Sequence, residues 1–209
     1  MHNLAQDEWI LDNPQLHHFI EAVNEVRWRA PDPRTAVAEI RPHFRELLHN
    51  QEWLPTQYQE PAEESGMGRK TGMWLLYRAG DGGLAFSALV LPPGAQTPVH
   101  DHLAWGLVGL YRGEQEEVVF QRKDDGARAD FAQLEIAETN LLRPGDFYEL
   151  LPENDIHRVR TTSDVTSVSL HAGQRQRLHM ASPLRAGCAT RAALQVGVDQ
   201  RGVSGRGVK

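Results

Sequence analysis

Apolar residues recur at helical spacing in the first third of the chain and at strand spacing afterwards. In residues 14–29, Leu16, Phe19, Ile20, Val23 and Val26 fall on one stripe, which predicts an amphipathic helix. A second stripe, Val37, Ile40, Phe44, Leu47 and Leu48, predicts another. Asp32 before Pro33 supplies its cap and first turn. Pro42 falls inside this second stripe, where proline kinks or splits a helix. Pro55 and the polar stretch "EPAEESGMGRK" then read as a loop.

From Gly72 the period shortens. "GMWLLYRAGDGGLAFSALVLPPG" reads as two strands around the turn Gly80-Asp81-Gly82-Gly83. Further short β segments are expected near 105–112, 116–123, 132–142, 147–151, 156–161 and 165–171. Polar breaks such as "KDDGARAD", "RPGD", "PEND" and "TTSD" separate them. Many short, evenly spaced strands imply a sandwich or barrel. The expected plan is mainly β: a helical segment at 1–71 on an antiparallel barrel at 72–171, followed by an atypical tail at 172–209.

Composition narrows the function. Hydrophobic residues make up 40% and charged residues 24% of the 209, an ordinary globular balance. No apolar run approaches the roughly 20 residues needed to cross a bilayer. The start, "MHNLAQDEWILDN", has no basic segment followed by an apolar run, so no secretory signal is expected. Cys188 is the single cysteine, which excludes an internal disulfide and fits a reducing cytoplasm. Net charge is −6, and residues 172–209 hold seven Lys and Arg against Asp199 alone. The body is therefore acidic, which argues against a nucleic-acid-binding domain. The basic tail has no aromatic residue to stack on bases.

The candidate chemistry lies in "LPPGAQTPVHDHLAWGLVGLYRG", residues 91–113. On a strand, His100 and His102 would share a face, with Asp101 turned away. Ten histidines give roughly 0.5 such pairs by composition alone, so the pair needs its context. Gly94 precedes His100 by six, Pro98 stiffens the approach, and Gly113 follows. Downstream, "RPGDFYELLPENDIHRV" supplies Pro144, Gly145 and His157.

These residues resemble the two motifs of the cupin superfamily, G-x5-H-x-H with a later glycine and a Pro-x-Gly region with a third histidine. The resemblance covers about residues 72–171. It implies a double-stranded β-helix (jelly-roll barrel) with N-terminal helices, and a metal held by His100, His102 and His157. Many cupins add a glutamate ligand separated from H-x-H by three or four residues. Here those positions hold Gly106 and Leu107. The pattern is similar to the thiol dioxygenase branch, cysteine dioxygenase and 3-mercaptopropionate dioxygenase, and "TPVHDHLAWGLVGLYRG" is especially similar to the bacterial 3-mercaptopropionate type. A helical N-terminus with "WLP" also fits.

The resemblance implies Fe(II), O2 and a small thiol as cofactor and substrates, with no nucleic-acid or membrane partner. The oligomeric state stays open, a homodimer being one option. Three neutral imidazoles leave the metal's charge uncompensated, which attracts a thiolate and a carboxylate. Zn2+ would suit the same ligands. The alternatives are therefore another metal cupin, an isomerase or hydrolase, or a non-catalytic cupin that binds a small ligand. The family's Ser-x-His-x-Tyr run is matched by Ser169 and His171, expected to tune the site, but Gly173 stands where the tyrosine should be. A carboxylate-binding arginine is expected on the first strand of the cysteine enzyme. Arg78 is the only one there, and its place at the strand end gives it the wrong register.

The remaining histidines have plainer expectations. His17, His18, His43 and His49 lie on helices as surface or core residues, while His2 and His179 are exposed. Trp105 and Tyr148 read as core aromatics more readily than pocket residues, and Asp101 as a surface hydrogen-bonding group.

The tail reads as a disordered basic arm or as a stretch translated out of frame from just after His171. With suitable codons, "HMASPLRAG" shifted by one nucleotide becomes Ile-Trp-Arg-His-Arg-Tyr-Glu-Pro. Likewise "AALQVGVDQ" becomes Pro-Phe-Arg-Ser-Gly-Trp-Thr-Asn, which is similar to the family's usual ending. Met180 before Ala181 forces the tryptophan codon. Sequencing the gene across codons 170–176 is expected to show a displaced frame with an alternative ending; an uninterrupted frame without one removes the second reading.

Overall fold

The computed structural model describes residues 6–62, 64–65, 68–69, 71–102, 104–125, 131–151, 155–174 and 195–198. A two-residue strand β1 (Glu8–Trp9) precedes helices α1 (Pro14–Arg29) and α2 (Pro33–His49). Asn13 caps α1 by accepting from the Gln15 and Leu16 amides, and Asp32 caps α2 by accepting from Thr35. All ten residues of the two expected stripes are buried. Pro42 lies inside α2, which runs on undivided, so of the kink or split expected there the split does not occur.

The strands follow: β2 (Glu64–Ser65), β3 (Gly68–Arg69), β4 (Gly72–Arg78), β5 (Ala85–Leu91), β6 (Gly106–Arg112), β7 (Gln115–Arg122), β8 (Phe131–Leu142), β9 (Phe147–Leu150), β10 (His157–Thr161), β11 (Ser167–Gly173) and β12 (Gln195–Val198). One sheet has the order β1-β4-β5-β11-β6-β9 and the other β10-β7-β8-β12, with β2 and β3 paired apart. The antiparallel pairs are nested. The β7–β8 hairpin lies at the centre, then β6 pairs β9, then residues 96–100 bridge to β10, then β5 pairs β11. Successive pairs alternate between the sheets. This is a long hairpin rolled into two facing layers, the jelly-roll double-stranded β-helix.

Two motif glycines make the turns of this roll. Gly94 (φ 73°) and Gly113 (φ 78°) have left-handed backbones that favour glycine. The helices cover the outer face of the larger sheet. Phe19, Phe44 and Leu48 join Phe86, Ala88, Val90, Leu107, Tyr111, Val168 and Leu170 in one core. Gly109 of β6 permits this contact, because a Cβ there would lie 2.7 Å from Phe44 Cε1 and nearer still to Leu48 Cδ1. Arg27 of α1 also pairs with Asp81 in the β4–β5 turn at 2.8 Å.

A bulge in β4 changes the expected register. Leu75 pairs with Ser87 but Tyr77 pairs with Phe86, so Leu76 is the extra residue. Its carbonyl accepts from the Ile10 and Leu11 amides, each at 3.0 Å. Leu76 and Tyr77 both enter the helix-facing core, and Arg78 turns to the side of Met73 and Leu75. The register assigned to Arg78 from its place at the strand end is therefore corrected.

Residues 195–198, read as part of an aperiodic arm, form β12, parallel to β8 from Phe131 to Leu134. Residues 175–194 and 199–209 lie outside the described residues, and with them the rest of the expected arm and the proposed change of frame. Among described residues, no helix is long and apolar enough to cross a membrane.

Filling the contact at Gly109 should overpack the helix–sheet core. Gly109→Ala is expected to cost about 1–3 kcal/mol, a fall of roughly 2–10 °C in the thermal unfolding midpoint for a chain of this size, read by circular dichroism. An unchanged midpoint would show that α2 does not press on β6 as described.

Candidate metal centre

His157 opens β10, and His100 faces it in an isolated antiparallel bridge. The bridge is made by His100 N to His157 O at 3.0 Å and His157 N to His100 O at 2.8 Å. His100 and His102 thus lie on extended chain beside β10 and not within a full strand as expected, yet the alternation still sends both rings to one side. Asp101 is exposed. The Asp155 carboxylate accepts from the His102 amide at 3.2 Å.

The three rings converge. Their centroids are 4.7–4.9 Å apart, and one ring nitrogen from each lies within 4.8 Å of the others. His102 Nε2 is 2.8 Å from His157 Nε2. Two nitrogens bonded at about 2.1 Å to one ion, at a right angle, lie about 3 Å apart, so this spacing suits a shared metal with little movement. His100 Nδ1 lies 2.9 Å from the Pro98 carbonyl, which assigns its proton there and leaves Nε2 free. Burial and the neighbouring imidazoles hold His102 and His157 at about 3, so both are neutral near pH 7, the form a metal requires.

Behind His157 stands a polar cluster that local sequence rules did not single out. Glu117 Oε1 lies 2.9 Å from His157 Nδ1, and Asn140 Nδ2 donates to Glu117 Oε2 at 3.3 Å. Tyr148 also hydrogen-bonds Glu117 and lies 3.4 Å from His157 Nδ1. Burial pushes the Glu117 carboxyl up to about 7 against the pull of these bonds. The signal available in the sequence was a glutamate at an inward position of a strand next to the third ligand.

In front of the rings opens a cavity of about 360 Å³. Its walls are mostly apolar, including Met73, Leu75, Leu89, Val108 and Leu150. Trp105 lines it and also packs against the helix-side core, while the half-buried Tyr148 lies behind His157. His171 also lines it, with Nε2 3.2 Å from Ser169 Oγ, and burial holds its pKa well below the ordinary value. Gly173 pairs with Gly106, and a Cβ at 173 would lie 2.7 Å from the Trp105 carbonyl oxygen. The backbone of Trp105 and Gly106 therefore fills the space that a side chain at 173 would need.

The other described histidines are remote from the centre. His17 stacks on Trp9 at 3.8 Å, and His49 Nδ1 bonds the Arg45 carbonyl. His18 and His43 line a separate cleft between α1 and α2. His2 and His179 lie outside the described residues.

A metal held by the trio should stabilise the fold. Zn2+ at a free concentration 100 times its Kd is expected to add about 2.7 kcal/mol, or roughly 5–10 °C in the unfolding midpoint, and His100→Ala should abolish the increment. An equal shift in the variant, followed by scanning calorimetry, would place the ion elsewhere.

No family model matches the chain. Among solved structures, a recombinant oxalate oxidase in complex with glycolate is similar at 16% identity, over 46% of this chain and 44% of that one, with a TM-score of 0.37. The cupin domain of Cnp3 from Schizosaccharomyces pombe is similar at 12% identity over 52% and 63%, with a TM-score of 0.40. A Cupin 2 conserved barrel domain protein from Salinispora arenicola is similar at 18% identity over 51% and 77%, with a TM-score of 0.37. The chain thus spans less than half of the oxalate oxidase chain, and its likeness to each of the three is partial.

Proposed function

We propose that the chain is an Fe(II)-dependent dioxygenase that converts a small thiol carboxylate to its sulfinate. The observation that carries this reading is a trio of imidazoles, with no carboxylate in the metal-facing set, at one wall of a largely apolar cavity. Iron held there supplies the redox chemistry by which one O2 is consumed and both its oxygen atoms end on sulfur.

The chain's own residues select and orient the thiol. Three neutral ligands leave the centre cationic, which favours a thiolate over a thiol. Apolar walls shed water around the sulfur and strengthen that attraction. Arg78 is the one permanently charged residue lining the cavity among the described residues, and the β4 bulge turns it there. Its Nη2 pairs with Glu8. Its remaining guanidinium donors suit a substrate carboxylate. No Asp or Glu lines the cavity among the described residues, so an ammonium would enter without a partner. This favours 3-mercaptopropionate over cysteine and cysteamine. His171, held by Ser169, presents a neutral imidazole as a hydrogen-bonding wall.

Oxygen uptake by the iron-loaded full chain, with 3-mercaptopropionate, cysteine, cysteamine and mercaptosuccinate, tests the proposal. One O2 per thiol and a sulfinate product are expected, with cysteamine the poorest substrate. Arg78→Gln should raise KM for the carboxylated thiols roughly 10- to 100-fold, the loss of one charged hydrogen bond of about 1.5–3 kcal/mol. Absence of uptake with any thiol while iron is bound would overturn the dioxygenase reading.

A further inference from the structure

The three-imidazole centre contains a carboxylate at one remove. Glu117, on β7 beside β10, is 3% exposed at its side chain, and the His157 ring it contacts is 1% exposed. Three groups surround its carboxyl: His157 Nδ1 at 2.9 Å, the Asn140 amide at 3.3 Å and the Tyr148 hydroxyl. The amide and the phenol donate to it, and a carboxylate that also accepts a hydrogen bond from His157 Nδ1 satisfies all three contacts together. Tyr148 is half-buried and braces the same His157 edge at 3.4 Å. The register fixes this arrangement: Glu117 pairs with Val159, two residues from His157 along β10. A change of one residue in the β7–β10 pairing would remove the contact.

We infer that Glu117 is a positioning residue for the metal centre, locking His157 with its proton on Nδ1 and its lone pair on Nε2. Asn140 and Tyr148 hold Glu117 in turn. The carboxylate also offsets part of the metal's charge through the imidazole, as carboxylate–histidine pairs do in other metal sites. The centre is then not three equivalent ligands. His100 leans on a neutral carbonyl, that of Pro98, while His157 leans on an acid, so His157 is the more basic donor. The inference concerns metal binding alone and holds whatever reaction the centre performs.

Glu117→Gln tests it, because glutamine keeps the size and one acceptor oxygen but removes the charge. Titration calorimetry with Co2+ or Zn2+ is expected to show affinity lowered 10- to 100-fold, with the Co2+ absorption bands shifted and the iron midpoint potential raised. Tyr148→Phe should weaken binding less, since it leaves the carboxylate in place. Unchanged affinity, spectrum and potential in Glu117→Gln would overturn the inference. Should that variant fail to fold, nitrogen NMR of the wild-type zinc-loaded chain decides the same point. His157 protonated on Nδ1 is expected; protonation on Nε2 would overturn it. These outcomes are separate from oxygen uptake, so failure of the dioxygenase proposal leaves them readable.

Discussion

Two backbone hydrogen bonds, between His100 and His157 in both directions, hold the centre together. They join the second arm of the rolled hairpin to its return strand, so residues far apart in the chain become neighbours across 3 Å. Each bond is worth little by itself, about 1 kcal/mol net. Their register matters more. A slip of one residue would turn one imidazole away from the other two, because side chains alternate along extended chain. Two flanking contacts, Thr97 N donating to Val159 O and Val159 N donating to the Thr97 hydroxyl, keep that register from drifting.

The helices act on the site indirectly. By covering the outer face of the larger sheet, α1 and α2 leave its inner face to the cavity. The same strand thus alternates between two environments: Phe86, Ala88 and Val90 of β5 meet the helices, while Ala85, Ser87 and Leu89 line the cavity. The segment before α1 reaches further. By supplying two amides to the Leu76 carbonyl, and the Asp7 carboxylate to the Tyr77 hydroxyl at 2.7 Å, it supports the bulge that presents Arg78. Burial and that acidic partner together push Tyr77 up to about 12, so its hydroxyl remains a donor.

Polarity in the barrel is graded. Behind His157 lies a dense hydrogen-bonded cluster; in front lies an apolar space with one guanidinium at its side. Strong, oriented interactions therefore hold His157, while weak ones leave room for a small molecule. Gly106 and Gly173 contribute by bringing β6 and β11 together without side chains, which leaves the wall there to backbone and to Trp105.

Apart from the histidine trio, which the sequence offered only through its resemblance to a known pair of motifs, the sequence by itself determined the helices and nearly every strand of the barrel. Each depends on rules that act within a few residues: apolar period, capping, glycine and proline at turns, and alternation along extended chain. Those rules failed wherever a contact came from elsewhere in the chain. The bulge at Leu76 depends on Ile10 and Leu11, and it reversed the side on which Arg78 lies. Glu117, Asn140 and Tyr148 come from three strands, and no spacing in the sequence marks them as a group. The loss of side-chain space at Gly173 depends on how closely β6 approaches. Only tertiary structure decided these features, because strand pairing joins residues by register and not by distance along the chain, and one inserted residue exchanges the two faces of everything that follows.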